Sequence, residues 1–270
     1  ENADKIANFC RSNGIKLRGH CLMWHAQIGK WMYQDEKGNL VSKEKLFQNM
    51  KHHITAIMER YKDVVYAWDV VNEAISDGGR PVMGQNPSPY RNSPLYQIAG
   101  DEFIKKAFIY AREADPNLLL FYNDYNAADP QKRDRIYNMV KSMKEEGVPI
   151  DGIGIQGHYN IYGPSMEDVD AALTKYSTIV KHIHITELDI RANEEMGGHL
   201  NFSREAGDIS QTVKLLQEDQ YTRLFKILRK HKDVVDNVTF WNLSDRDSWV
   251  GVHNYPLPYD ENYKPKRVYS

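Results

Sequence analysis

The chain has 270 residues, 41% of them hydrophobic, enough for one large α/β domain with a sizeable core or for two small ones. Its net charge is −2 with no basic block or stripe, which argues against nucleic acid or an anionic membrane surface as a partner. Apolar runs reach only strand length, too short to span a bilayer. Cys10 and Cys21 make neither a disulfide framework nor a CxxC metal pair.

The first pattern is helical, residues 2–13 of "ENADKIANFCRSNG", and Gly14 stands where a left-handed C-terminal cap belongs. No signal peptide is seen here, and the abrupt helical opening leads us to expect that the chain starts inside a longer protein. A strand follows in "KLRGHCLMW" (16–24), then a helix over 43–61 and a strand in "VVYAWDVVN" (64–72). The next helical pattern covers 95–114, and the next strand is "LLLFYND" (118–124). A helix over 130–146 is closed by Gly147, and "GIGIQGH" (152–158) is a short buried strand. A helix over 166–180, the strand "HIHITELD" (182–189), a helix over 210–231 and the strand "VTFWNL" (238–243) complete the series. There is no repeat, low-complexity run or linker.

Regular alternation of strand and amphipathic helix implies parallel strands with crossover helices. An open doubly wound sheet and a closed barrel both satisfy it. No glycine-rich phosphate loop follows the first strand, against the usual nucleotide-binding sheet. Polar or aromatic residues close every strand instead: Trp24-His25, Asn72-Glu73, Asn123-Asp124, Gln156 with His158, Glu187 with Asp189, and Trp241-Asn242. A (β/α)8 barrel builds its active site at that end of the strands. Six strands are read where such a barrel needs eight.

Glu73 and Glu187 each close a buried strand, and a carboxylate there needs a partner or a purpose. Either alone is as readily a structural residue, in a salt bridge or at a helix N-cap, as a functional one. Two at equivalent strand ends are the minimum equipment for glycoside hydrolysis, in which one carboxyl protonates the leaving oxygen and the other attacks or activates water. In "ITELDI" Asp189 lies two residues after Glu187 and so shares its strand face, and the same period pairs Gln156 with His158. A histidine held by Asp189 is then a donor to Glu187. Trp24, Trp31, Tyr125, Trp241 and Trp249 fall in or after strand ends, and aromatic faces among polar neighbours suit a sugar ring. Trp68, within its strand, is assigned to the core. A barrel metal centre built on His182-x-His184 is the competing reading; it is set aside because those histidines lie early in their strand and out of phase with Glu187.

These segments carry a family resemblance. "RGHCLMWHAQ", "WDVVNEAI", "FYNDYN", "GIGIQGHY", "ITELDI", "FWNLSDRDSW" and the tail "LPYDENYKPKRVY" resemble, in order and spacing over nearly the whole chain, the endo-β-1,4-xylanases of glycoside hydrolase family 10. The resemblance implies Glu73 as general acid/base and Glu187 as nucleophile of a retaining mechanism, without metal or organic cofactor. It implies that Asn72 holds the 2-hydroxyl of the sugar under attack, and that His158, oriented by Asp189, touches the nucleophile. Gln156 and His25 are implied on the glycone side, Trp241 and Trp249 as aromatic walls, Tyr125 on the aglycone side, Asn123 as support for the acid/base, and Trp31 more peripherally. Asn242 departs from the family, which usually has Gly there.

The fold implied is α/β, a (β/α)8 TIM barrel of which this chain holds strands three to eight. Residues 1–270 would be a single catalytic domain, N-terminally incomplete, because no Glu-Asn-x-Met-Lys segment precedes "ENADKIANF". The implied partners are xylan and xylo-oligosaccharides, with no nucleic acid and no membrane. A companion N-terminal fragment or an inserted carbohydrate-binding module is expected as a further partner, and a companion fragment, a second copy of the chain or a rearranged helix is expected to cover the open barrel edge. The family implies a secreted, periplasmic or cell-surface location. Two alternatives stay open: an inactive or sugar-binding truncated form, and another retaining barrel glycosidase of cellulase type.

Overall fold

A computed structural model describes residues 2–78, 88–192 and 209–269. The chain divides into two compact units, Glu1–Asp124 with Asp134–Gly154, and Tyr125–Arg133 with Ile155–Ser270. In chain order the regular elements are α1 (Asn2–Asn13), β1 (Leu17–Trp24), α2 (Lys43–Tyr61), β2 (Val65–Asn72), α3 (Pro94–Ala99), α4 (Glu102–Ala114), β3 (Leu119–Asp124) and α5 (Pro130–Glu145). They continue with β4 (Gly152–Ile155), β5 (His158–Asn160), α6 (Met166–Tyr176), β6 (His182–Arg191), α7 (Gln211–Lys230) and β7 (Val235–Phe240). Among the described residues no helix is long and apolar enough to cross a membrane.

In the first unit β1, β2 and β3 are parallel neighbours in that order, with Gly19 opposite Trp68, Trp24 opposite Asn72, and Asn72 opposite Asn123. That register brings the polar strand ends into one row. Gly19 is required by it: a Cβ there would lie inside the Trp68 ring. Trp68 itself is buried, as expected of a core residue. α2 starts at Ser42, whose side chain accepts the Lys45 N–H, and it buries Leu46, Met50, Ile54 and Met58, a stripe repeating every four residues. Gly14 and Gly147 take φ of 65° and 78°, the left-handed conformation that their positions after α1 and α5 call for.

The single helix expected over 95–114 is two. Gly100 ends α3 at φ 60° while its N–H bonds the Tyr96 carbonyl, and α4 restarts at Glu102. Apolar spacing runs across the join, so periodicity alone hides the break.

In the second unit β6 lies between β5 and β7, parallel to both: His158 pairs with Asp189, and Leu188 with Phe240. β6 is buried at every position except its ends, as a parallel strand covered on both faces must be. α6 and α7 start at Ser165 and Ser210, which accept the N–H groups of Asp168 and Val213. The strand expected at 152–158 is interrupted at Gln156-Gly157. Gly157 has φ 83°, and a Cβ on it would press on Ile185 and Leu188. The ladder continues across the break through the Gln156 and Gly157 carbonyls, which accept the Glu187 and Asp189 N–H groups.

The last strand begins earlier than expected and stops at Phe240, because Asn242 turns the chain with φ 89° and bonds back to the Phe240 carbonyl. That left-handed backbone explains the residue type: glycine fits it without strain, and asparagine is among the side chains that tolerate it best.

Candidate active site

Glu73 follows directly on β2, whose preceding residues are buried except for Tyr66. Its backbone is left-handed, φ 57°, which is unusual for a glutamate. Two bonds hold that backbone: the Glu73 N–H donates to the Asn123 carbonyl at 2.9 Å, and Arg91 Nε donates to the Glu73 carbonyl at 2.9 Å. The carboxylate is addressed on both oxygens. Asn72 Nδ2 donates to Oε1 at 3.2 Å, and Trp24 Nε1 donates to Oε2 at 2.9 Å. Asn123 Nδ2 in turn donates to Asn72 Oδ1 at 2.9 Å, so Asn123, Asn72 and Glu73 form one chain across two strands.

His25 lines the same small cavity as Asn72, Glu73 and Arg91. Its Nδ1 is buried with no hydrogen-bond partner among the described residues. Burial, and then the positive charge of Arg91, hold its pKa below the usual imidazole value against the pull of Glu73. Trp24 lines a second cavity of about 310 Å³ that reaches His20, Gln27, Trp31 and His53. Trp31 stands on a short 3-10 turn, Lys30–Met32, half exposed, with its ring 5.7 Å from that of His53.

Sequence reasoning missed the network beneath this row. Asp69 is fully buried inside β2 and receives both the Arg18 guanidinium and His20 Nδ1, the latter at 2.9 Å. Burial opposes a charge on His20, but bonds to Asp69 and Cys21 outweigh it and raise its pKa to about 11. A charged residue at an inward strand position was the available signal; its partners lie 49 and 51 residues away. Trp24, expected at the cleft from its place at a strand end, also gives its indole N–H directly to Glu73.

In the second unit Glu187 and Asp189 project from β6 and His158 from β5. His158 Nε2 lies 3.0 Å from Glu187 Oε2 and Nδ1 2.9 Å from Asp189 Oδ2. Burial works against an imidazolium here, yet the two carboxylates outweigh it and raise the His158 pKa to about 9. At neutral pH the ring therefore donates from both nitrogens. Trp249 Nε1 also donates to Asp189 Oδ2, at 2.9 Å, and its ring centroid is 5.0 Å from that of His158. The Trp241 ring meets His158 edge-on at 6.4 Å. Gln156 is buried next to this set, and its carbonyl takes the Glu187 N–H at 2.8 Å. Tyr125, the first residue after β3, is half-buried with the Lys132 ammonium 3.4 Å from its ring centroid.

The structure thus gathers Trp24, His25, Asn72, Glu73 and Asn123 in one unit, and Gln156, His158, Glu187, Asp189, Trp241 and Trp249 in the other. His182 and His184 go instead to Asp236 of β7, at 2.6 and 2.9 Å. Among the described residues no group of three or more His, Cys, Asp or Glu side chains is arranged to hold a metal ion.

The sequence pattern of Glycosyl hydrolase family 10 matches residues 1–270. An "Endo-1,4-beta-xylanase/feruloyl esterase" of Xylanibacter ruminicola is 62% identical over 98% of this chain, which spans 37% of that protein. An "Endo-1,4-beta-xylanase B" of Paenibacillus barcinonensis is 38% identical over 98% of this chain and 79% of its own length. Among solved structures, "A psychrophilic glycoside hydrolase family 10 endo-beta-1,4-xylanase" superimposes with a TM-score of 0.92 at 68% identity, over 99% of this chain and 79% of that one.

Proposed function

This chain belongs to glycosyl hydrolase family 10 and carries part of that family's (β/α)8-barrel fold, and from that premise we propose that the protein is an endo-1,4-β-xylanase acting by double displacement. The reading assigns residues 1–270 to its catalytic domain. Glu187 attacks the anomeric carbon while Glu73 delivers a proton to the departing glycosidic oxygen, which leaves a glycosyl-enzyme ester on Glu187. Glu73 then takes a proton from water as that water attacks the same carbon, and the ester bond breaks. Two inversions give net retention, and the reading requires the two carboxyl groups to stand about 5–5.5 Å apart when substrate is bound.

The observation that carries this reading is the Glu187–His158–Asp189 chain. A nucleophilic carboxylate must present one oxygen to carbon without rotating away. The protonated His158 pins Oε2, and Asp189 and the two tryptophans pin the ring of His158. Trp241 and Trp249 supply apolar faces for the pyranose, and Gln156 and His25 supply polar contacts on the glycone side. Asn72 takes the 2-hydroxyl, whose hydrogen bond strengthens in the transition state. Asn123 holds Asn72 in place for that task, while Tyr125 and Trp31 extend the contacts outward. No residue role in this scheme uses a cofactor. Because xylan is a polymer too large to import, the reading places the enzyme outside the cytoplasm. The long Xylanibacter relative supports a further module elsewhere in the full chain.

The test is digestion of β-1,4-xylan by the full-length protein, followed by proton NMR of the first products. Release of xylo-oligosaccharides as β-anomers is expected, and Glu187→Gln abolishes it. Binding of xylo-oligosaccharides without turnover would establish a sugar-binding role instead. Initial α-anomers, or preference for cellulose over xylan, would refute the assignment.

A further inference from the structure

Lys132 stands against two elementary expectations. It lies in the first turn of α5, where the helix dipole disfavours a cation. It is also 2% exposed, where an ammonium loses its hydration. Its backbone is held there by Asp129, whose Oδ1 accepts the Lys132 N–H at 2.9 Å and the Gln131 N–H at 3.1 Å. From that anchored position the side chain reaches back and sets Nζ 3.4 Å from the centroid of the Tyr125 ring. A cation at that distance from an aromatic face is strongly attracted, and most so where water is excluded. The lysine is thus fixed at both ends, by a helix cap at its backbone and by an aromatic ring at its tip.

Tyr125 keeps part of its surface open to solvent while Lys132 does not. A tyrosine on a strand-end loop ordinarily retains freedom about two side-chain torsions. A ring clamped from behind by a buried ammonium has already lost that freedom. Its remaining exposed surface is then a fixed platform for the apolar face of a pyranose, and less ordering is left to be paid when sugar binds. We propose that Lys132 is a positioning residue that fixes the Tyr125 ring as the sugar platform on the aglycone side and so sets the enzyme's preference for long substrates. This rests on the reading of Tyr125 as an aglycone contact.

The experiment compares full-length wild type, Lys132→Met, Lys132→Arg, Tyr125→Ala and the double variant Lys132→Met/Tyr125→Ala. Two substrates are used: xylohexaose, which places several sugars beyond the scissile bond, and a nitrophenyl β-xylobioside, which places none. Lys132→Met is expected to raise KM for xylohexaose about tenfold with kcat little changed, the scale of a desolvated cation–π contact. Its effect on the nitrophenyl substrate is several-fold smaller. Lys132→Arg, which keeps a cation, recovers most of the loss. The double variant is no worse than Tyr125→Ala, since the lysine acts through that ring. The proposal is overturned if Tyr125→Ala raises the xylohexaose KM and Lys132→Met does not. It is equally overturned if Lys132→Met lowers kcat on both substrates alike, the signature of a merely structural role. If Tyr125→Ala leaves xylohexaose unaffected, the aglycone reading of Tyr125 fails first. Should Lys132→Met not fold, Lys132→Gln decides by the same comparison.

Discussion

Titrating His158 tests the centre of the site directly. The imidazole is buried between two carboxylates, and its pKa is raised from 6.5 to about 9. The sign follows from linkage. With the folded value above the unfolded one, the folded state keeps a proton that the unfolded chain has released between those two pH values. The stabilisation is therefore complete below pH 6.5 and is lost as pH climbs through 9. Its size is about 3 kcal/mol, an order-of-magnitude figure for a rise of this extent. The assay is urea unfolding of the full-length protein from pH 6 to pH 10, followed by tryptophan fluorescence, on wild type and His158→Gln. Among the described residues other shifted groups titrate in or beside that window, His20 and Lys266 most strongly. His20, raised to about 11, loses stabilisation with the same sign. Lys266, lowered to about 8 chiefly by burial, works the other way, its penalty lifting as pH rises from 8 towards 10.5. Both are common to the two proteins, so the difference between them isolates His158. That difference should shrink by about 3 kcal/mol across the window. A difference that stays constant from pH 6 to 10, or imidazole nitrogen shifts that titrate near 6.5, would refute the bridged imidazolium.

Other consequences are open to simpler measurements. Glu73→Ala should lower kcat/KM on xylan by roughly 10²- to 10⁴-fold and leave kcat/KM for dinitrophenyl xylobioside nearly unchanged, because that leaving group needs no proton in the first step; equal losses of kcat/KM on both would remove Glu73 from the acid/base role. Gly19→Ala should cost about 1–3 kcal/mol by overpacking against Trp68, and pairing it with Trp68→Leu should recover part of that in a double-mutant cycle. At position 242, with φ 89°, Asn242→Gly should leave stability equal or slightly higher, while Asn242→Ala should be about 1 kcal/mol worse than the glycine variant; thermal unfolding of the two variants decides it.

Much of this was readable in the sequence because buried parallel strands announce themselves. "HIHITELDIR" is apolar enough to be a strand covered on both faces, and its period of two puts Glu187 and Asp189 on one side, where His158 meets both. What stayed hidden depended on register. Arg18 and His20 are ordinary polar residues of β1 until Gly19 is placed opposite Trp68, which sets them around Asp69. The same holds for Trp24, whose indole N–H reaches a carboxylate 49 residues away. The division of the helix at Gly100 was hidden for a different reason, since amphipathic spacing persists through a left-handed residue that only backbone geometry reveals.

The backbone at the strand ends connects these observations. Glu73 after β2, Asn126 after β3 and Asn242 after β7 all carry φ between 51° and 89°. A strand that must stop sharply and present its next side chain sideways needs such a turn, and glycine or asparagine makes it at least cost. Two of these positions follow that rule and Glu73 breaks it. A long acidic side chain in a left-handed conformation is held by the surrounding structure at a cost to stability. Here the Asn123 carbonyl, Arg91 and the Trp24 indole all converge on this one residue. Strain of this kind persists where the side chain is needed more than the backbone preference, which is a reason independent of sequence similarity to look for the chemistry at Glu73.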